Sequence, residues 1–339
     1  GEAGAAGDLN TAVNTLAART GSGDINILDR DGGLTIAIFD GLSGVTITDT
    51  PADDSGNDDI TIVTRGDLTV AAGNPIANHD GGDVMLSAEL PLADLRLHAA
   101  VTVAGGTGMV TLQADNDVIG DANGKISTEN GDVAITADLD GSSFSGANAN
   151  GTIQMSGDIT AGSGTVTFSL ADCNGWLGAA ATTGDGEIVS AGNVIKNGSG
   201  ALRLNGTTNT ITGTATVNAG HLLVNGTLDG SGTGQVVAAF GGTLGGNGTI
   251  QNMTTPAVLV QDGGTLDPGD VSMAGCAALP GRLTVDGYVT FEEDSTFRVQ
   301  LNSREAGVDA DGPYGPNGYD QLLVDNGDVY LSGDSWGAN

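Results

Sequence analysis

The chain has very few positively charged residues and no long apolar run. Ten Lys and Arg stand against 42 Asp and Glu, which gives a formal net charge of −32 at pH 7. Phosphate backbones and anionic membrane surfaces attract clustered Lys and Arg, so this charge argues against a nucleic-acid-binding protein. No apolar run approaches the ~20 residues that span a bilayer. We therefore expect no contact with nucleic acid and no membrane insertion of this segment.

Aromatic residues are also scarce, whereas glycine is abundant. Aromatic residues make up 4% of the chain, and glycine supplies 58 of its 339 residues. Glycine accepts positive φ at turns, and the apolar remainder, mainly Val, Leu, Ile and Ala, suits pleated strands. Apolar residues reach 39% and occur in alternating runs, which allows burial that a disordered chain cannot achieve. The composition predicts many short strands separated by tight turns.

One short phrase recurs along the first part of the chain: a glycine, a small or polar residue, and apolar positions that alternate with Thr or Ser. Its copies begin at Gly66, Gly82, Gly108, Gly131 and Gly164. Alternation with a period of two predicts a strand with one buried face. Later phrases recur every 20 to 22 residues, at Gly200, Gly220, Gly242 and Gly264. A repeat this short cannot bury its own face, so it must stack on its neighbours.

These repeats predict an all-β fold, a right-handed parallel β-helix (β-solenoid) with about 20–25 residues per coil. No helical pattern separates the strands, so parallel pairing between successive coils must satisfy their backbone groups. We expect irregular coils over residues 1–190 and more regular coils over residues 191–339, which continue the same solenoid with a loop insertion near 302–318. No signal peptide opens the chain, so we expect a segment of a longer protein.

The two cysteines, Cys173 and Cys276, are difficult to join within such a fold. The intervening chain would occupy roughly four or five coils at about 4.8 Å each, beyond the ~7 Å that a disulfide allows between Cα atoms. An intrachain disulfide would therefore need long protruding loops. We expect two unpaired cysteines, and bonds to neighbouring chains or through folded-over loops stay open as alternatives.

The later repeats have the order of a known bacterial repeat. Residues 198–206 read Gly-Ser-Gly-Ala-Leu-Arg-Leu-Asn-Gly, residues 209–220 end in Thr-Val-Asn-Ala-Gly, and residues 222–226 read Leu-Leu-Val-Asn-Gly. This order resembles the autotransporter-associated β-strand repeat of passenger domains, and residues 264–324 resemble the segment that commonly closes it. Residues 1–190 are similar, more weakly, to filamentous-haemagglutinin-type adhesin repeats.

Both resemblances imply a right-handed β-helix that is secreted by, or displayed on the surface of, a bacterial cell. They imply a structural or adhesive role as a rigid stalk or fibre, and no enzymatic activity. The implied partners are glycans or proteins on host or neighbouring cells, or copies of the chain itself. No passenger protease motif is present, so the export route stays open.

Two other functions stay open. A β-helix can be a carbohydrate-active lyase or glycosidase, which needs carboxylates converging on one face of adjacent coils. The candidate place for such a groove is formed by Asp309, Asp311 and Asp320 near Tyr314 and Tyr319. The shortage of basic and aromatic residues disfavours a groove, so no catalytic residue is assigned. The other alternative is a subunit of an extracellular filament, joined through coil ends or loops.

Closely spaced aspartates raise the possibility of calcium, which binds carboxylate and carbonyl oxygens. The candidate ligands are Asp53, Asp54, Asp58, Asp59, Asp309 and Asp311, with Asp115 and Asp117 as a further pair. Neither the Gly-Gly-x-Gly-x-Asp calcium repeat nor a complete EF-hand loop is present. Solvated acidic turns are the favoured interpretation, and weak Ca²⁺ sites stay open. The three histidines have no metal-binding spacing; they are His79, His98 and His221.

Overall fold

A computed structural model describes eight stretches of the chain. These are residues 9–30, 32–49, 57–138, 151–171, 175–178, 186–272, 276–301 and 318–331. The described residues contain 37 strands and no helix, and hence no helix of the length and hydrophobicity that crossing a membrane requires. The chain divides into two compact units, Gly1–Ala171 (unit 1) and Asp172–Asn339 (unit 2).

Unit 1 contains nineteen strands, β1 to β19. Their bounds are Leu9–Thr11 (β1), Thr15–Leu16 (β2), Ala18–Thr20 (β3), Ile25–Asp29 (β4), Leu34–Ile36 (β5), Val45–Ile47 (β6), Ile60–Thr64 (β7), Leu68–Val70 (β8), Ile76–Asn78 (β9), Val84–Ala88 (β10), Leu95–Leu97 (β11), Val101–Val103 (β12), Val110–Ala114 (β13), Val118–Gly120 (β14), Ile126–Thr128 (β15), Val133–Ala137 (β16), Ile153–Met155 (β17), Ile159–Thr160 (β18) and Thr165–Ser169 (β19).

Each strand of unit 1 pairs in parallel with the strand three places further along the chain. This produces three sheets: face A with β1, β4, β7, β10, β13, β16 and β19, face B with β2, β5, β8, β11, β14 and β17, and face C with β3, β6, β9, β12, β15 and β18. One coil therefore supplies one strand to each face, and the next coil stacks on it in register. The predicted parallel β-solenoid is confirmed.

The register places equivalent apolar side chains directly over one another. On face A, Ile60, Val84, Val110 and Val133 form one column, and each is fully buried. Burial alternates along the strands, so the intervening residues point outward. Removing such side chains from water contributes about 25 cal/mol per Å² of apolar surface. The alternation seen in the sequence thus identifies the interior positions of unit 1.

Aspartates at the corners cap the backbone of the following coil. Before face A, the carboxylates of Asp24, Asp59 and Asp83 accept hydrogen bonds from the backbone N–H groups of Asp59, Asp83 and Met109, at 2.9, 2.7 and 2.7 Å. Each carboxylate therefore satisfies a donor one coil further on. A second row of this kind, before face B, consists of Asp67, Asp94 and Asp117. We call these two rows the aspartate ladders.

The recurring glycines lie where successive coils nearly touch. A Cβ atom at Gly131 would be 1.9 Å from the carbonyl oxygen of Gly108, and one at Gly164 would be 2.1 Å from that of Gly131. Gly108, Gly131 and Gly164 have no positive φ. At these positions glycine is needed for space, and not for the turn conformation that the composition suggested.

Unit 2 contains strands β20 to β37. Their bounds are Gly175–Leu177 (β20), Ile188–Ser190 (β21), Asn193–Asn197 (β22), Ala201–Leu204 (β23), Asn209–Thr210 (β24), Thr214–Val217 (β25), Gly220–Val224 (β26), Thr227–Ala238 (β27), Gly242–Gly246 (β28), Thr249–Val260 (β29), Thr265–Pro268 (β30), Asp270–Val271 (β31), Ala278–Leu279 (β32), Arg282–Asp286 (β33), Val289–Phe291 (β34), Thr296–Phe297 (β35), Gln321–Asp325 (β36) and Val329–Leu331 (β37).

Unit 2 is also a stack of parallel coils. Strands β20, β23, β26, β28, β30 and β35 pair in that order and form one sheet, which we call the covered sheet. Strands β27 and β29 are 12 residues long, and β27 pairs with both β24 and β25, so one long strand replaces two short ones. Between β23 and β30, paired residues of successive coils are 20 to 22 apart, the spacing of the glycine phrases, whereas the following coil is longer and pairs Thr265 with Thr296. The predicted change of repeat type near residue 190 stays a prediction.

One segment of unit 2 leaves the stack. Strands β31 and β32 pair antiparallel, and the described residues 269–272 and 276–281, which we call the clasp, lie over the outward side of the covered sheet. The clasp departs beside strand β28, where the N–H groups of Gly246 and Gly269 each donate to the other's carbonyl, at 2.6 and 2.9 Å. A Cβ atom at Gly246 would be 2.1 Å from the carbonyl oxygen of Val224, so the crossing requires glycine.

Candidate functional site

Two of the predicted calcium ligands, Asp58 and Asp59, lie in the described residues. The Asp59 carboxylate caps Asp83, and the Asp58 carboxylate accepts a hydrogen bond from the backbone N–H of Gly23. The N–H of Asp58 itself donates to the buried carboxylate of Asp80 at 2.6 Å. These carboxylates therefore accept hydrogen bonds from backbone N–H groups at the corner before face A. The other predicted ligands, Asp53, Asp54, Asp309 and Asp311, lie outside the described residues.

The corner around Asp59 is crowded with negative charge. Burial raises the pKa of the Asp59 carboxyl, the backbone hydrogen bond to Asp83 opposes this, and the charges of Asp83, Asp24 and Asp58 raise the pKa further. Within the described residues, no group of three or more His, Cys, Asp or Glu has the arrangement of a metal site. Calcium binding stays a prediction. An unchanged melting temperature after addition of a chelator would contradict it.

Asp320 is the described member of the carboxylate trio considered for a catalytic groove. Its two oxygens accept backbone hydrogen bonds from Gly281 at 2.9 Å and Gln300 at 2.7 Å, and the side chain is buried. Burial raises the pKa of the Asp320 carboxyl to about 6. The carboxylate thus anchors the start of β36 to the end of the clasp. Tyr319 is also described, whereas Tyr314 is outside the described residues.

A cavity of about 770 Å³ lies next to Asp320. Its lining is mainly apolar and includes Phe291, Phe297 and Leu331, together with Arg282 and Glu292. A glycosidase needs two carboxyl groups on opposite sides of one sugar bond, with one of them available as an acid. Asp320 already accepts two backbone hydrogen bonds, so it holds the chain in position beside the cavity.

The histidines are not gathered into one site. His98 places its Nδ1 atom 2.8 Å from a carboxylate oxygen of Asp121, and both side chains are partly exposed on unit 1. His221 lies on strand β26 of unit 2, where burial lowers its pKa and the charge of Arg298 lowers it further.

Lys196 is a buried charged residue that sequence reasoning missed. It points inward from β22, is fully buried and pairs in register with Val217. Its ammonium donates to the carbonyl oxygens of Asn197 at 2.6 Å, Gly198 at 2.8 Å and Ala219 at 3.3 Å. Burial lowers the pKa of Lys196 to about 7. The available signal was a lysine at an inward position of an alternating strand.

Replacing Lys196 with methionine is expected to flatten the pH dependence of the stability of unit 2. The pKa of Lys196 is about 7 when folded and 10.5 in its ordinary state, so between these values the unfolded chain binds more protons. The free energy of unfolding of the wild type should therefore rise with pH in this window, and that of the variant should not. Denaturant titrations at pH 7 and 9, followed by the fluorescence of Trp176 and Trp336, measure this. If the free energies of unfolding of the two proteins differed by the same amount at pH 7 and pH 9, the lowered pKa of Lys196 would be contradicted.

The expectation of unpaired cysteines is wrong for Cys276, which is disulfide-bonded. The other cysteine, Cys173, lies outside the described residues. The geometric objection assumed that each residue stays at the height of its own coil. The clasp does not meet that condition, because it places Cys276 over the covered sheet, against the cluster of Ala201, Leu223 and Val271. Folded-over loops had been one of the alternatives for this pair.

The chain is similar to a bacterial surface protein of known type. Over 185 residues it is 31% identical to the adhesin BmaC autotransporter of Brucella suis biovar 1 (strain 1330). The match covers 55% of this chain and 5% of the length of that relative. No protein-family model and no solved structure matches the chain. Together with the stacked parallel sheets, the match confirms the resemblance to the β-solenoid passenger domains of autotransporters.

Proposed function

We propose that this chain is a structural and adhesive segment of a large secreted or cell-surface bacterial protein, in which it acts as a rigid stalk or fibre. The observation that carries the proposal is the in-register stacking of short parallel strands throughout both units. Every inner coil is hydrogen-bonded to the coils before and after it, which resists bending of the stack. The similarity to an autotransporter adhesin supports adhesion and an extracellular or cell-surface location.

The partners we propose are glycans or proteins on a host or neighbouring cell, or copies of the chain itself. Outward positions on the faces of unit 1 carry short hydroxyl side chains, such as Thr61 and Thr111 on face A and Thr102 on face C. Hydroxyl groups both donate and accept hydrogen bonds, as glycans do. The charge of −32 favours a partner surface that is neutral or positively charged.

A bead-binding experiment tests the adhesive role. Beads coated with the folded chain are expected to bind a glycan array or cultured animal cells saturably, and beads coated with the same chain after heat denaturation are expected not to. Equal binding by both preparations, or binding by neither, would refute adhesion. Incubation of the chain with acidic polysaccharides tests the enzymatic alternative, and release of unsaturated or reducing sugar ends would replace the proposal.

A further inference from the structure

The clasp is held to an early coil of unit 2 by a buried ion pair. The Nε atom of Arg203 donates to the two carboxylate oxygens of Asp270 at 2.9 and 3.2 Å, and its Nη2 atom donates to the carbonyl oxygen of Val271 at 2.5 Å. The Arg203 side chain is 4% exposed, and that of Asp270 is 22% exposed. Asn225 adds a hydrogen bond to Asp270 at 3.1 Å. Removing one partner of such a buried pair leaves the other charge buried and unpaired.

The same contact closes an apolar patch on the outward side of the covered sheet. Val271 of the clasp clusters with Ala201 of β23 and Leu223 of β26, and Cys276 packs against this cluster. All three clustered residues are at least 98% buried. Outward positions of a solenoid sheet ordinarily face water, so these residues owe their burial to the clasp. The clasp is therefore packed and hydrogen-bonded, and it does not lie loosely over the sheet.

The clasp connects coils that the solenoid itself does not connect. Asp270 follows β30, and its partner Arg203 lies on β23, 67 residues earlier. Strands β26 and β28 lie between these two strands in the covered sheet. Coils of a solenoid contact only their neighbours, so they can open one at a time. With the clasp closed, β26 and β28 cannot separate without breaking the contacts of Arg203 with Asp270 and Val271, and the disulfide at Cys276 holds the clasp where it packs.

We propose that the clasp is a disulfide-locked brace that makes the coils from β23 to β30 open as one block. Disulfides form and persist where thiols are oxidised, outside the cytosol of most cells. The brace is therefore locked in an oxidising compartment and released in a reducing one. This inference goes beyond the proposed function, and it stands or falls independently of whether the chain binds a partner.

Native-state hydrogen exchange, read by mass spectrometry, tests the brace on the full chain. A dithiol such as dithiothreitol supplies two electrons and two protons, which convert the disulfide into two thiols while the reagent becomes a cyclic disulfide. After reduction, amides of Gly220–Val224 and Gly242–Gly246 are expected to exchange at least about tenfold faster. Amides of Val110–Ala114 in unit 1 should keep their rates.

Two variants separate the brace from a general effect of reduction. Arg203→Gln retains the disulfide but removes the ion pair, and is expected to accelerate exchange in β26 and β28 under oxidising conditions. Arg96→Gln is the matched control, because it removes a 36% exposed arginine that pairs with Asp67 and Asp94 in unit 1. The proposal is overturned if reduction leaves exchange in β26 and β28 unchanged, if only residues of the clasp speed up, or if β13 speeds up equally.

Discussion

Replacing Val133 with aspartate is expected to lower the free energy of unfolding of unit 1 by at least about 4 kcal/mol. Val133 is fully buried in β16, between Val110 of the preceding coil and Val166 of the following one. A carboxylate at this position would lose its water and find no hydrogen-bond donor. Burial would raise its pKa above that of the unfolded chain, so the loss should be smaller at pH 4 than at pH 7.

The neighbouring substitution Ala134→Asp is the control for this experiment. Ala134 lies on the same strand but points outward, so its carboxylate would stay hydrated, and we expect a change below about 1 kcal/mol. Denaturant titrations followed by circular dichroism compare the two variants. Leu204→Asp repeats the test at a fully buried position in unit 2. Equal losses for Val133→Asp and Ala134→Asp would contradict the assignment of interior and exterior positions.

Replacing Gly131 with alanine is expected to destabilise unit 1 by about 2–4 kcal/mol. The added Cβ atom would lie 1.9 Å from the carbonyl oxygen of Gly108 and 2.9 Å from that of Thr107. Both obstacles are backbone atoms of the preceding coil, so relief requires the two coils to move apart. That movement weakens the parallel hydrogen bonds between β13 and β16.

Gly21→Ala provides the matched control for the crowded glycine. Gly21 has open space around its Cα atom and no positive φ. Alanine there should raise stability by up to about 1 kcal/mol, because it restricts the unfolded chain without disturbing the folded one. Thermal unfolding of both variants gives the comparison. If Gly131→Ala were as well tolerated as Gly21→Ala, close approach of the coils would not be the reason for the recurring glycines.

The fold could be predicted because its determinants are local and repeated. The alternation in Gly131-Asp132-Val133-Ala134-Ile135 distinguishes interior from exterior positions, and the spacing from Gly200 to Gly264 equals the coil period between β23 and β30. Stacking in register follows from these two facts, since each coil needs a neighbour with the same pattern. The division of the coils from β4 to β15 into one five-residue and two three-residue strands was less clear, because the corners vary in length.

The clasp and the roles of the charged residues could not be predicted in the same way. Within the described residues the clasp has no repeated counterpart, and its anchor Arg203 is 67 residues distant from Asp270. Asp58 and Asp59 attract attention as cation ligands because their spacing in the sequence is close, yet their hydrogen bonds go to backbone groups of other coils. Such long-range hydrogen bonds depend on the register of the coils, which the local pattern of charges does not contain.

The aspartate ladders bear on how the length of such a protein can change. The bond from Asp59 to the N–H of Asp83, and that from Asp83 to Met109, each reach only the next coil. A duplicated coil would therefore supply the cap that its successor needs and receive one from its predecessor. Genes for this architecture can gain or lose entire coils without changing the packing of the rest. An odd number of residues inserted within a strand would instead reverse its inward and outward positions, so small insertions are tolerated only at the corners.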